Sequence, residues 1–133
     1  MITIIITVNR FSMHTHNAML HYQWQMKCVC QRPGLHAPAL VANYVESGLN
    51  VARYYEKHHN FILQELYLRR TFHELLEKIC DSLIHNAIRK QCLAQLYKPQ
   101  LALKRYYKTH NCIEKYFSLE REACLLSQEF NPI

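Results

Sequence analysis

Between residues 82 and 113 the chain carries six cations, Arg89, Lys90, Lys98, Lys104, Arg105 and Lys108, and no carboxylate. Tyr97, Tyr106 and Tyr107 are interleaved with them. Cations neutralise phosphates and tyrosine rings stack on bases, so this mixture suits a nucleic-acid strand, and the same field suits an acidic protein surface. Arg89, Lys90, Lys98, Lys104, Arg105, Tyr106 and Lys108 are therefore the candidate partner-binding residues. The competing account is an ordinary solvated helix face, with tyrosines reaching out from the core. His14, His16, Cys28 and Cys30 could offer four zinc ligands, but Cys-x-Cys and His-x-His are not the usual zinc spacings and no second cysteine pair follows. Glu56 and His59 form half of a di-iron Glu-x-x-His motif that lacks its second copy. No metal and no cofactor is assigned.

Two Arg-x4-His pairs, Arg53 with His58 and Arg105 with His110, resemble the paired Arg and His of the HEPN family of helical RNases. The resemblance implies an arginine and a histidine meeting near a scissile phosphate. Five helical steps turn by about 140°, so the two side chains would have to reach around their helix to share a site. No Gly-rich phosphate loop, Gly-x-Ser-x-Gly elbow or His-Glu-x-x-His is present. Enzymatic activity is accordingly the lesser expectation.

Whatever chemistry these residues perform, the rest of the chain must position them. Its 133 residues suffice for one domain with its own core, and half of them are apolar. Only 2 glycines and 4 prolines are present, too few for the tight turns of an all-β fold, which points to long helices. The net charge of +6 is concentrated in the acid-free segment. The apolar start at residues 1–8 has no basic residue before it and is too short for a signal peptide, and no apolar run is long enough for a membrane span. The expectation is a soluble cytoplasmic protein whose 6 cysteines stay reduced.

Residues 1–35 differ from the remainder. A β-branched run at 1–8 could pair as one strand, and Arg32-Pro33-Gly34 signals a turn, so 1–35 is read as an irregular arm and 36–133 as the helical domain. From Phe61 to Ile88 apolar residues advance by three or four. Asn60 is a competent N-cap, and Thr71 with Glu74 has capping-box spacing that would mark a further break. Pro99 ends what precedes it and fits the first turn of the next helix. Asn111 with Glu114 would start a last helix, about Cys112 to Gln128. This makes four or five helices.

The chain also repeats itself. Leu49-Asn-Val-Ala-Arg53-Tyr54-Tyr55-Glu-Lys-His58 returns as Leu101-Ala-Leu-Lys-Arg105-Tyr106-Tyr107-Lys-Thr-His110, five identities in ten at an offset of 52. With one inserted residue, Asn60 aligns with Asn111 and Ile62 with Ile113. Repetition of this kind is produced by stacked helical hairpins. At these residues the chain resembles tetratricopeptide-like repeats. Leu40 to Lys57 looks like a first helix, a turn at Gly48 and a second helix, and Cys92 to Tyr97 followed by Ala102 to Lys108 echoes a second unit. The resemblance implies small and aromatic positions packing hairpin on hairpin, with a concave face that binds peptides or partner proteins.

The resulting expectation is an all-α antiparallel bundle or pair of stacked hairpins that binds an acidic protein through a basic surface. A nucleic-acid-binding regulator is the first alternative and a HEPN-like RNase the second. No membrane partner is expected, and a homodimer is left open.

Overall fold

The computed structural model describes residues 15–26 and 37–129, and among these every regular element is a helix. The zinc candidates His14, Cys28 and Cys30, the 1–8 run and the Arg32-Pro33-Gly34 turn lie outside the described residues. Residues 15–26 form α1. The domain proper follows as α2 (Ala37–Lys57), α3 (Phe61–Cys80), α4 (Asn86–Gln95), α5 (Tyr97–Thr109) and α6 (Ile113–Glu129). The arm is thus not wholly irregular: α1 sinks Met19 and Met26 into the common core.

The duplicated decamer is the end of a helix together with the turn that folds the chain back. In the first copy the Asn60 N–H donates to the Tyr55 carbonyl at 2.9 Å and the His59 N–H to the Glu56 carbonyl at 3.1 Å. In the second the Cys112 N–H donates to Tyr107 at 2.8 Å and the Asn111 N–H to Lys108 at 3.3 Å. Both are Schellman closures, with the left-handed position filled by His59 (φ 56°) and Asn111 (φ 57°). The offset of 52 therefore runs on through the turn to the helix starts at Phe61 and Ile113, with no inserted residue. Asn111 ends α5 instead of capping α6, a correction to the expected capping box. Asn60 does cap α3, its side chain accepting from the Leu63 N–H.

Two other expected breaks are absent. Gly48 lies inside the unbroken α2, where an added Cβ would stand 2.2 Å from Thr71 Oγ1. Glycine is needed there for the close crossing of α2 and α3, not for a turn. Thr71 starts no new helix, because its hydroxyl donates to the Tyr67 carbonyl one turn back at 2.8 Å and α3 continues. Glu74 instead pairs with Lys78 at 2.6 Å on the same helix.

Hairpins α2–α3 and α5–α6 stack side by side, with α4 inserted between them, which accounts for the long repeat offset. The second tyrosine of each Tyr-Tyr pair fastens its helix to the preceding layer. Tyr55 Oη lies 2.9 Å from His16 Nε2 of α1, and Tyr107 Oη donates to Glu65 of α3 at 3.2 Å. The core between these layers is built from Val41, Tyr44, Val45 and Val51 of α2, Phe72, Leu75 and Ile79 of α3, Ile88 and Cys92 of α4, and Leu103 and Tyr107 of α5.

Candidate functional site

Helix α2 leads into the start of α3, and the C-terminal part of α5 returns to the same end, where Tyr106 Oη donates to the Phe61 carbonyl at 3.0 Å. Both helices run antiparallel to α3, so the two duplicated helices lie parallel to each other. Between them is a groove of about 560 Å3. Leu49, Ala52, Gln64, Leu68, Leu101 and Ala102 contribute to its lining, as do Phe61, Tyr106 and His110 toward the turn end. Tyr97, Leu101 and Phe61 are 54%, 49% and 38% exposed and supply the accessible apolar part of the lining. On the α5 wall stand Lys98 and Arg105, and on the α2 wall Glu46, Arg53 and Glu56.

The seven residues singled out from the acid-free segment do not share one face. Lys98 and Arg105 face the groove, and Tyr106 forms part of its wall with its hydroxyl already engaged to Phe61. Lys104 and Lys108 lie beside them on the exposed arc of α5, about 120° wide for all four cations. Lys104 leans over the Tyr116 ring of α6, 5.7 Å from its centroid. Lys90 is exposed on α4, away from the groove. Arg89 is not on the surface at all: it is 8% exposed, its Nε donates to the Ile79 carbonyl at 2.8 Å and its Nη1 to Asn86 Oδ1 at 3.2 Å. It satisfies a carbonyl at the end of α3 that the helix leaves without an intrahelical donor. As a binding residue it is withdrawn.

Arg105 and His110 both line the groove, whereas Arg53 lines it without His58. The His58 ring lies on Tyr54, with its Nδ1 2.8 Å from the Tyr54 carbonyl, so that nitrogen carries the proton and closes the end of α2. His110 is held between the rings of Tyr106 and Phe61, at centroid distances of 4.4 and 4.8 Å. Burial and the Glu65 carboxylate push the Tyr107 hydroxyl up to about 12, and burial followed by Glu65 also raises Tyr106. Both therefore stay protonated donors that hold the α5 wall against α3 over the physiological pH range. Among the described residues no three His, Cys, Asp or Glu side chains gather as a metal site, and no helix is long and apolar enough to cross a membrane.

Sequence reasoning missed the α2 wall and the floor, because Glu46, Leu49, Gln64 and Leu68 join the site only when the hairpins stack. The available signal was the repeat itself, since Arg53 and Arg105 head its two copies. Comparison with protein-family models, with curated proteins and with solved structures finds no match.

Proposed function

We propose that this chain is a non-catalytic interaction module that receives an acidic, partly apolar segment of another protein in the groove between α2 and α5. One observation carries the reading: the helices that end in the two copies of the repeat run side by side along a groove whose accessible apolar side chains are Tyr97, Leu101 and Phe61, and two cations, Lys98 and Arg105, stand on its α5 wall. An apolar floor supplies affinity and rim charge selects the partner. The tetratricopeptide-like reading rests on the repeated decamer that ends α2 and α5, each followed by a turn into a further helix, while its expected first unit, Leu40 to Lys57, is a single helix with no turn at Gly48. A reducing cytoplasm fits Cys80, Cys92, Cys112 and Cys124, which are free thiols.

A nucleic-acid strand has weaker support, because among the described residues the facing wall offers no unpaired cation, Arg53 being paired with Glu46, and adds the carboxylate of Glu56 against a backbone charged at every step. The HEPN-like reading has less again, since His58 serves as a helix-end donor and the His110 ring is packed between two aromatic rings. Selection of binders from a random displayed peptide library, followed by mapping of amide shifts on the full chain, tests the proposal. Enrichment of Asp and Glu beside apolar residues, with shifts in 49–56, 61–68 and 97–110, is expected. Neutral or basic winners, or shifts confined to other surfaces, would remove the groove from the account. Oligonucleotide binding that weakens steeply with salt would favour the nucleic-acid alternative.

A further inference from the structure

The duplication provides an internal control for the groove's charges. Arg53 and Arg105 occupy the same place in the two copies, each five residues before the histidine that precedes the left-handed turn residue. In the first copy the arginine is satisfied within the chain: its Nη1 lies 3.0 Å from Glu46 Oε1 and also donates to Asn50 Oδ1. At the offset of 52 those two partners become Lys98 and Ala102. The second copy has therefore lost the carboxylate and the amide oxygen together, and has gained a second cation in the carboxylate's place. Among the described residues neither Arg105 nor Lys98 makes an ion pair or hydrogen bond, and both line the groove. Like charges two turns apart on one face stabilise nothing in the isolated chain.

Resting on the groove reading above, we propose that Lys98 and Arg105 form a clamp for a single carboxylate of the bound segment, an Asp or Glu side chain, and that Glu46 stands in the first copy as a built-in substitute for that ligand. The Glu46–Arg53 contact shows that side chains seven residues apart on such a helix meet, so the ends of Lys98 and Arg105 can converge on one acceptor. The guanidinium offers a planar pair of donors to a carboxylate and the ammonium a point charge. A carboxylate is favoured over a phosphodiester strand for two reasons. Arg53 already takes a carboxylate in the equivalent place, and the α2 wall, with Arg53 occupied by Glu46 and Glu56 beside it, has among the described residues no unpaired cation for a continuous line of phosphates.

The test uses the full chain and fluorescence anisotropy with three labelled probes: a short peptide alternating Glu and Leu, its Gln–Leu counterpart, and a single-stranded oligothymidylate. Wild type is expected to prefer the Glu–Leu peptide over the Gln–Leu peptide by about tenfold. Lys98→Glu recreates the first copy's pair, fills Arg105 from within the chain, and should lower Glu–Leu affinity by about tenfold. Glu46→Lys releases Arg53 and should raise affinity severalfold, and the double exchange should move the clamp to α2 and restore affinity to near the wild-type value. Equal affinity for the two peptides, or charge variants that bind like wild type, overturns the clamp. In that case Leu101→Ser separates the two levels: if it weakens both peptides the groove reading stands alone, and if it changes neither, that reading falls as well. Tighter binding of oligothymidylate than of either peptide overturns both. Circular dichroism on each variant guards against unfolding, and because Lys98 and Glu46 lie outside the core their helical signal should match that of wild type.

Discussion

At the scale of single residues, the tyrosines carry most of the polar information in this fold. Tyr107 has its folded hydroxyl raised by burial, and then by Glu65, from 10.0 to about 12. The folded state thus favours the protonated form, so the contribution is fully present below pH 10 and is lost as pH rises through about 12. Urea unfolding against pH should be flat up to the unfolded tyrosine range and then fall, and Tyr107→Phe should make the fall shallower. Tyr44, Tyr106 and Tyr116 are also raised, so one variant removes only part of the slope. Tyr44 is a contrasting case: it is 0% exposed, and its hydroxyl has no hydrogen-bond partner among the described residues. Tyr44→Phe deletes the orphaned group and keeps the ring, so thermal unfolding should show unchanged or higher stability, by up to about 1–2 kcal/mol. A marked loss would mean that the hydroxyl is satisfied after all.

At the scale of elements, the crossing of α2 over α3 and the end of α3 each depend on one residue that composition could not single out. Gly48→Ala gains helix propensity of about 1 kcal/mol but pushes a methyl into Thr71, an overpacking that costs about 1–3 kcal/mol. Net destabilisation is expected, with partial recovery in the Gly48→Ala, Thr71→Ala pair; additive losses would show that the two residues do not meet. Arg89 joins α4 to the last turn of α3. Arg89→Met should cost about 2 kcal/mol by leaving the Ile79 carbonyl without that donor, and should not alter groove binding. A binding defect without a stability defect would return Arg89 to the surface role that its charge suggested.

At the scale of the whole molecule, what matters is that two hairpins whose first helices end in the same decamer pack together with those helices side by side. The resulting groove has one wall neutralised from within and one wall left cationic. Lys104 and Lys108, although part of the same acid-free run, lie outside its lining. Reversing both to Glu should change acidic-peptide affinity by no more than about twofold, because exposed charges beside a site act mainly through a screened field. A loss as large as that from Lys98→Glu would mean that the whole face of α5, and not the groove, is the binding surface.

Local pattern alone was enough for the all-helical class, the cap at Asn60, the break at Pro99 and the duplication, because helical period, capping chemistry and repetition are properties of neighbours in the chain. Asn111 and Gly48 misled for the same reason: a left-handed helix end and a close helix crossing use the same residue types as a cap and a turn. Which cations face a partner was beyond any local signal. Arg89 turns inward because α3 ends beside it, and Lys98 and Arg105, placed on one side of α5 by their seven-residue spacing, border a groove only because α5 lies beside α2. Charge and its pairing along a helix are written in the sequence, but which charged side chains border a groove is decided by which helices come together.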